Sequence, residues 1–294
     1  MTENTLKGQL QENVTLSEWT TWRVGGPAKC CYFPADKDDL AVFLKTCAKD
    51  EPLLWLGLGS NTLIRDKGIN GTVIITQGRL KQLAELEEGI IRAEAGVSCA
   101  QVARFSARAG YEHGEFLAGI PGTIGGALAM NAGCFGRQTW EQVVAVEVID
   151  RQGNIRIRTP QEYKIAYREV TRPAEEWFIA AHFKFVRGNK ELALATIKEL
   201  LDKRASSQPT GKACCGSVFR NPPGDFSGRL IEASGLKGFS IGGAEVSPKH
   251  ANFIINTGTA TAQDIELLMA HVQSEVLRLQ GVHLQPEVHI VGDA

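Results

Sequence analysis

Gly119-Ile120-Pro121-Gly122-Thr123-Ile124-Gly125-Gly126-Ala127, running on into Met130-Asn131-Ala132-Gly133, is the stretch from which the fold follows. Four glycines and a proline fall within eight residues. Glycine admits φ > 0 and removes the Cβ that would keep a ligand away from main-chain N–H groups. Such a run, opening an Ala-rich helical turn, suits an anion such as a pyrophosphate, because unbonded N–H groups and the helix dipole both favour negative charge there. A second glycine turn, Gly57-Leu58-Gly59-Ser60-Asn61, lies about sixty residues upstream. Two loops of this kind predict one extended cofactor held from two sides.

Working outward, the spacing predicts the elements that carry these loops. Asp36 caps a helix whose apolar positions Leu40, Phe43, Leu44 and Cys47 share one face. Leu53-Leu54-Trp55-Leu56 reads as a buried strand ending at the first glycine turn. Residues 72–76 and 90–94 read as further strands. Ser98 and Gln101 form a capping box, with Val102, Phe105 and Ala109 on one face and Gly110 as the stop. Residues 143–150 and 155–158 flank Arg151-Gln152-Gly153-Asn154 as a hairpin. Residues 178–186 form a strand, and residues 190–203 a charged helix. Ser206-Ser207-Gln208-Pro209-Thr210-Gly211 marks a boundary. Beyond it come short strands at 252–256 and 287–291 and a helix from Thr261 to its stop at Gly281. Strands and helices mix without a regular βαβ alternation, which argues α+β.

The 294 residues exceed what one small core needs and imply two or three compact units. Net charge is −1, so nothing electrostatic favours nucleic acid or a membrane surface as partner. No apolar run has the length of a transmembrane helix, and the N-terminal residues are too polar for a signal peptide. The expectation is a cytoplasmic protein. The seven cysteines, at 30, 31, 47, 99, 134, 214 and 215, are odd in number and show no zinc-type spacing with histidine. They read as reduced, buried thiols, and no metal site is expected.

Two familiar nucleotide patterns fail. After Gly57-x-Gly59 the third glycine of a dinucleotide fingerprint would fall at Thr62. Gly211-x-x-x-x-Gly216-Ser217 lacks the lysine that reaches the phosphates in a nucleotide triphosphatase loop, because Ser217 stands in its place.

The order of motifs along residues 15–290 resembles the UDP-N-acetylenolpyruvoylglucosamine reductase family. The matching segments begin with Thr21-Trp22-Arg23-Val24-Gly25-Gly26-Pro27-Ala28 and the 57–61 turn. Glu115-Phe116-Leu117-Ala118 leads into the 119–127 loop and Met130-Asn131-Ala132-Gly133, followed by Tyr167-Arg168. Gly216-Ser217-Val218-Phe219-Arg220-Asn221-Pro222 comes next. Gly242-Gly243-Ala244-Glu245-Val246-Ser247, His250-Ala251-Asn252-Phe253 and Pro286-Glu287-Val288 complete the series. The length resembles the family's shorter, second type, which lacks an inserted tyrosine-bearing loop. The resemblance implies an FAD-binding module of two α/β subdomains, of the vanillyl-alcohol oxidase type, at 1–76 and 77–188. A smaller C-terminal α+β substrate domain would follow at 189–294.

The same resemblance implies chemistry. NADPH reduces FAD, hydride passes from flavin N5 to C3 of an enolpyruvyl ether on a UDP-sugar, and C2 is protonated; the cofactor carries the hydride and the protein supplies position and charge. Arg168 matches the catalytic arginine, whose planar fork suits a carboxylate. Ser217 matches the proton donor to C2, a weak acid that needs neighbours or a water to reload. Glu287 matches a C-terminal catalytic glutamate that orients the intermediate or shares its proton. FAD contacts fall to Gly57, Gly59, Ser60 and Asn61, and to Gly119, Ile120, Pro121, Gly122, Thr123, Gly125, Gly126 and Ala127. Arg220, Asn221, Lys249 and His250 match the substrate region, although the family often carries lysine where Arg220 stands. A monomer acting on a small molecule is implied. Other flavin oxidases or dehydrogenases share this scaffold and attach FAD through His or Cys. His113 and Cys134 flank the long loop, but neither lies in a linkage motif. A flavin-binding module without catalysis would have lost Arg168, Ser217 or Glu287, and all three are present. Cys215 reads as filler beside Gly216.

Overall fold

Asp36 does open the first α-helix. Its carboxylate accepts from the Asp39 N–H at 2.8 Å, and the helix runs Lys37–Thr46 with Leu40, Phe43 and Leu44 buried. The computed structural model, which describes residues 6–294, divides the chain into two compact units. The first takes the described residues up to Gln11, Cys30–Leu58 and Gly71–Lys203. The second takes Glu12–Lys29, Gly59–Asn70 and Arg204–Ala294. Its segments are far apart in sequence, so composition gives no sign of the division.

In the first unit, Leu53–Leu56 lies parallel to the 72–75 stretch, with Leu53 opposite Thr72 and Leu56 opposite Ile75. A five-stranded antiparallel sheet follows, in the spatial order Ile155–Arg158, Val143–Asp150, Glu176–Lys184, Ile90–Glu94 and Leu83–Glu87. The 143–150 and 155–158 hairpin forms as its turn predicts. Cys99–Arg108 carries the Ser98–Gln101 capping box. Val102, Ala103, Ile124, Leu128, Val146 and Phe183 share a core with one face of the sheet. The opposite face adds Ile149 and Ile179 to a second core with Tyr32, Leu40 and Leu44.

The second unit is built on the helix Ala262–Gln280, whose Ile265, Leu268, Met269, Val272 and Val276 are buried. Thr261 and Asp264 cap it reciprocally, and Gly281 closes it at φ 70°. The Asp66 carboxylate also accepts from the N–H groups of Ala262 and Gln263, both at 2.9 Å. A three-stranded antiparallel sheet, Ser240–Ile241, Ala244–Val246 and Ile254–Asn256, packs against that helix. Thr62–Ile64 pairs in parallel with His289–Val291. Trp22 is fully buried in this unit's core, with its indole N–H on the Ile254 carbonyl at 2.8 Å.

Several expectations shift. The charged helix runs Lys190–Ser207 and so continues through Ser206-Ser207, because those serines follow a helix already propagating. The last strand begins at His289, two residues after Glu287. The strand at 252–256 is confined to Ile254–Asn256, because Phe253 N–H closes a turn on His250 O and the Asn252 carbonyl accepts from Val218 N–H. None of the seven cysteines is in a disulfide, but only Cys31, Cys99 and Cys215 are buried; the other four are half-buried. Among the described residues no helix is long and apolar enough to cross a membrane, and no group of His, Cys, Asp and Glu is placed to hold a metal ion.

The five-stranded sheet contains a charged cluster with a measurable consequence. Arg92 donates to Glu147 through Nε at 2.5 Å and Nη2 at 2.9 Å, and His182 Nε2 lies 2.9 Å from the same carboxylate. Burial alone would raise the Glu147 pKa, but the hydrogen bonds from Arg92 and His182 and their charge bring it down to about 2. A carboxylate depressed in the folded state stabilises above its unfolded value and loses that contribution as pH falls through the folded value. We therefore expect Glu147→Gln to be less stable at pH 7 by at most on the order of 3 kcal/mol. The difference from wild type should close between the ordinary carboxylate pKa of 4.5 and about 2. Urea midpoints across that pH range test it, and a difference that persists unchanged at low pH contradicts it.

Candidate functional site

The two glycine loops touch. A Cβ on Gly57 would sit 2.3 Å from the Thr123 hydroxyl oxygen, so only glycine lets the first turn lie against the second loop. Thr123 is 3% exposed, and its Oγ1 is a buried polar atom without a hydrogen-bond partner. An orphaned buried hydroxyl is unfavourable by about 1–3 kcal/mol. It is a donor waiting for an acceptor. Gly126, in the first turn of the Ile124–Met130 helix, is exposed and has only that same hydroxyl, 3.9 Å away, near where its Cβ would be.

The long loop differs from a row of unbonded donors. Ser98 and Thr123 form an antiparallel bridge. Ile124 N–H donates to Val97 O at 2.8 Å and Gly125 N–H to Ala95 O at 2.9 Å. Cys99 N–H bonds Gly122 O at 3.0 Å, and Gly122 N–H bonds Ile120 O at 2.9 Å. The helix start is thus tied to the 95–99 segment, and its first donors are already used. In a bridge of this pattern the N–H of Thr123 itself points away from its partner strand. Ile120 and Ala127 belong to the core, and Pro121 is exposed. Gly119 has no room for a Cβ, which would lie 2.5 Å from the Phe135 ring and 2.7 Å from Cys134 Sγ.

Tyr167-Arg168 is the two-residue tip of a hairpin between Lys164–Ala166 and Glu169–Thr171, a motif that periodicity did not reveal. Arg168 has φ 57°, the left-handed region usually left to glycine. Held strain of this kind, on the order of 1–3 kcal/mol, concentrates at functional sites. The guanidinium lies over the Tyr167 ring, 4.9 Å from its centroid, and donates from Nη2 to Gly133 O at 3.0 Å. Asn131, 3% exposed, secures the platform beneath. Its amide donates to Gln138 Oε1 at 2.8 Å and Ala166 O at 3.0 Å, and it accepts from Trp140 N–H at 3.3 Å. An open cavity of ≈ 320 Å³ beside this tip is lined by Asn131, Gln138, Trp140, Glu141, Ile165, Ala166 and Tyr167.

In the second unit Ser217 and Glu287 come from adjacent backbone segments. Phe219 bridges Pro286; Glu287 N–H donates to Val218 O at 2.8 Å and Arg220 N–H to Gln285 O at 2.9 Å. Ser217 and Glu287 are both half-buried. Burial holds the Cys215 thiol far above its ordinary pKa, with the charges of Cys214 and Glu287 adding to the effect, so Cys215 is an inert neighbour. Asn252 was missed as a contributor. It is 3% exposed; its amide accepts from Phe219 N–H at 3.0 Å and donates to Phe219 O at 2.8 Å, while its carbonyl accepts from Val218 N–H. A short amide between Ala251 and Phe253 was the available signal, since a buried amide must be bonded.

The remaining candidates have other attachments. Asn221 Oδ1 accepts from Ser227 N–H at the start of the helix Ser227–Ala233. Lys249 donates to the Ala205 carbonyl. His250 packs edge-on against Phe253 at 4.8 Å and accepts from Asn252 N–H through Nδ1. Gly59, at φ 63°, has Trp19 O at 2.3 Å from its Cβ position. Ser60 is half-buried. Asn61 donates from its amide to Glu287 O at 3.0 Å.

Comparison with known proteins bears on both units. Residues 28–158 match the FAD binding domain family model, and residues 208–291 match that of the UDP-N-acetylenolpyruvoylglucosamine reductase C-terminal domain. A UDP-N-acetylenolpyruvoylglucosamine reductase of Legionella pneumophila (strain Paris) is 60% identical over 289 residues, covering 98% of this chain and 95% of the relative. That of Nitrosococcus oceani is 54% identical over 98% of this chain and 97% of its own. The crystal structure of the Thermus caldophilus enzyme superposes with a TM-score of 0.82 at 31% identity, covering 98% of this chain and all of the other. The 6-hydroxy-D-nicotine oxidase of Arthrobacter nicotinovorans shares the fold alone, with a TM-score of 0.56 at 11% identity over 97% of this chain and 88% of that one.

Proposed function

Because the chain belongs to the UDP-N-acetylenolpyruvoylglucosamine reductase family along almost its whole length, we infer that it reduces UDP-N-acetylglucosamine enolpyruvate to UDP-N-acetylmuramate. It is an FAD-dependent oxidoreductase of peptidoglycan precursor synthesis, and NADPH is its reductant. The observation that carries this reading is the meeting of Gly57 with the orphaned Thr123 hydroxyl beside an open Gly126. The residues present fit the cofactor: a buried donor without an acceptor and a glycine surface without side chains are what a pyrophosphate requires. Gly57, Gly59, Ser60 and the 119–127 loop would hold it.

When bound, FAD supplies the hydride chemistry between NADPH and the enolpyruvyl ether. The protein's own groups do the rest. Arg168 presents a fixed cation to the enolpyruvyl carboxylate, where negative charge grows as C3 receives hydride. Ser217 delivers a proton to C2. Glu287, on the segment bonded to Val218, orients the enol intermediate or shares its proton. Arg220, Asn221, Lys249 and His250 serve the UDP-sugar side. Residues 1–76 and 77–188 are assigned as the two FAD-binding subdomains and 189–294 as the substrate domain. The enzyme works as a cytoplasmic monomer on a small molecule, with neither nucleic acid nor membrane as partner. Through the cell wall it serves cell shape and division.

Purified protein should be yellow and should release FAD on denaturation. Its NADPH oxidation should depend on UDP-N-acetylglucosamine enolpyruvate and yield UDP-N-acetylmuramate. Colourless protein after mild purification, or NADPH consumption indifferent to the sugar nucleotide, would sink the assignment.

A further inference from the structure

We propose that the Asn61 side chain is a positioning group for the Glu287 carboxylate rather than a cofactor ligand. The proposal rests on the catalytic assignment of Glu287 above. Its basis is a set of bonds within the second unit. Thr62–Ile64 pairs in parallel with His289–Val291, with His289 opposite Thr62. The ladder continues by one bond, His289 N–H to Asn61 O at 3.0 Å. One step further, a parallel ladder would place a main-chain N–H of residue 61 on the carbonyl of residue 287. Here the side chain makes that bond instead, Asn61 Nδ2 donating to Glu287 O at 3.0 Å.

The consequence is that the Glu287 peptide is held at both ends. Its N–H is bonded to Val218 O, next to Ser217, and its carbonyl to Asn61. Glu287 lies outside the strand, which begins at His289, so strand pairing alone does not fix it. Asn61 therefore extends the order of the ladder to the catalytic carboxylate without extending the strand. Gly59 anchors the other end of the turn: Thr21 N–H donates to Gly59 O at 3.2 Å, and a Cβ at Gly59 would meet Trp19 O at 2.3 Å. A turn fixed at Gly59 and at Glu287 relays the placement of the glycine loop to the proton-handling segment. The asparagine amide supplies the donor this bond needs. Aspartate keeps the volume but offers an acceptor to an acceptor, and alanine leaves the Glu287 carbonyl without this donor.

The test separates the two half-reactions in the FAD-loaded enzyme. Asn61→Ala and Asn61→Asp should retain FAD and the wild-type rate of reduction by NADPH. Turnover of UDP-N-acetylglucosamine enolpyruvate by the reduced enzyme should fall about 10²-fold, the scale of a 1 Å misplacement. The fall should appear in the rate at saturating sugar and should shift the pH profile of that half-reaction. In a Glu287→Ala background, Asn61→Ala should add no further loss. If both single variants are slow but their effects multiply in full, Asn61 does not act through Glu287 and the proposal is overturned. FAD loss with an equal fall in NADPH-driven reduction also overturns it, in favour of a cofactor role. If Glu287→Ala alone turns over the sugar at the wild-type rate, the catalytic assignment of Glu287 fails, whatever Asn61 does. Should Asn61→Ala not fold, the isosteric Asn61→Asp gives the same readouts.

Discussion

Ser217→Ala enzyme should accept electrons from NADPH at the wild-type rate and fail to pass them productively to the sugar nucleotide. Sugar turnover should fall by about 10²–10⁴-fold, the range for loss of a positioned general acid. The substitution isolates the hydroxyl. Gly216, at φ 78°, makes the turn, and Asn252 clamps Phe219 through both of its main-chain groups, so the backbone around residue 217 does not depend on the serine side chain. Cys215 cannot take over, because its side chain is buried in the core of the second unit. Stopped-flow absorbance of the yellow enzyme reads each half-reaction separately. Equal loss in both would refute Ser217 as the donor to C2.

Arg168→Ala should show the same division from the opposite electrostatic cause. Removing one fixed, preorganised charge from a developing anion lowers rate by about 10²–10³-fold. Lysine should restore little, because its point charge lacks the planar fork that suits a carboxylate. Stability should move the other way. Residue 168 sits at φ 57°, so Arg168→Gly removes backbone strain while abolishing sugar turnover. A variant that melts no lower than wild type yet has lost the sugar half-reaction places Arg168 in the chemistry. A variant that loses activity only in proportion to unfolding would place it in the fold. Gly133→Ala should imitate Arg168→Ala, since the added methyl would lie 2.5 Å from Arg137 O and 3.1 Å from Arg168 Nη1.

Much of this was legible along the chain. The Asp36 cap, the Ser98–Gln101 box and the Thr261–Gly281 helix are local, and each came out where its capping chemistry put it. The hairpin at 143–158 was legible because its turn residues and alternation agree. The Arg168 hairpin was not, since its strands are three residues long and its turn carries arginine where glycine is usual. Asn252 and Asn131 lay in plain view within recognisable motifs. Their roles were hidden because an amide declares itself only through the main-chain groups it reaches.

By itself, the sequence determined the glycine loops, the helix starts and stops and the order of motifs that marks the family, and it nominated Arg168, Ser217 and Glu287 for the roles proposed above. These depend on local backbone preference and on residue type, both of which are written residue by residue. Tertiary structure alone decided that Gly57 rests on Thr123, that the start of the long loop is bonded to the 95–99 segment, and that Asn61 holds Glu287. Those facts depend on an approach between residues 66 positions apart that leaves no room for a Cβ, and on a hydrogen bond between residues 226 positions apart. No local preference encodes such pairings. The loop read first as a row of open donors is, in the fold, a mostly bonded frame around one buried hydroxyl.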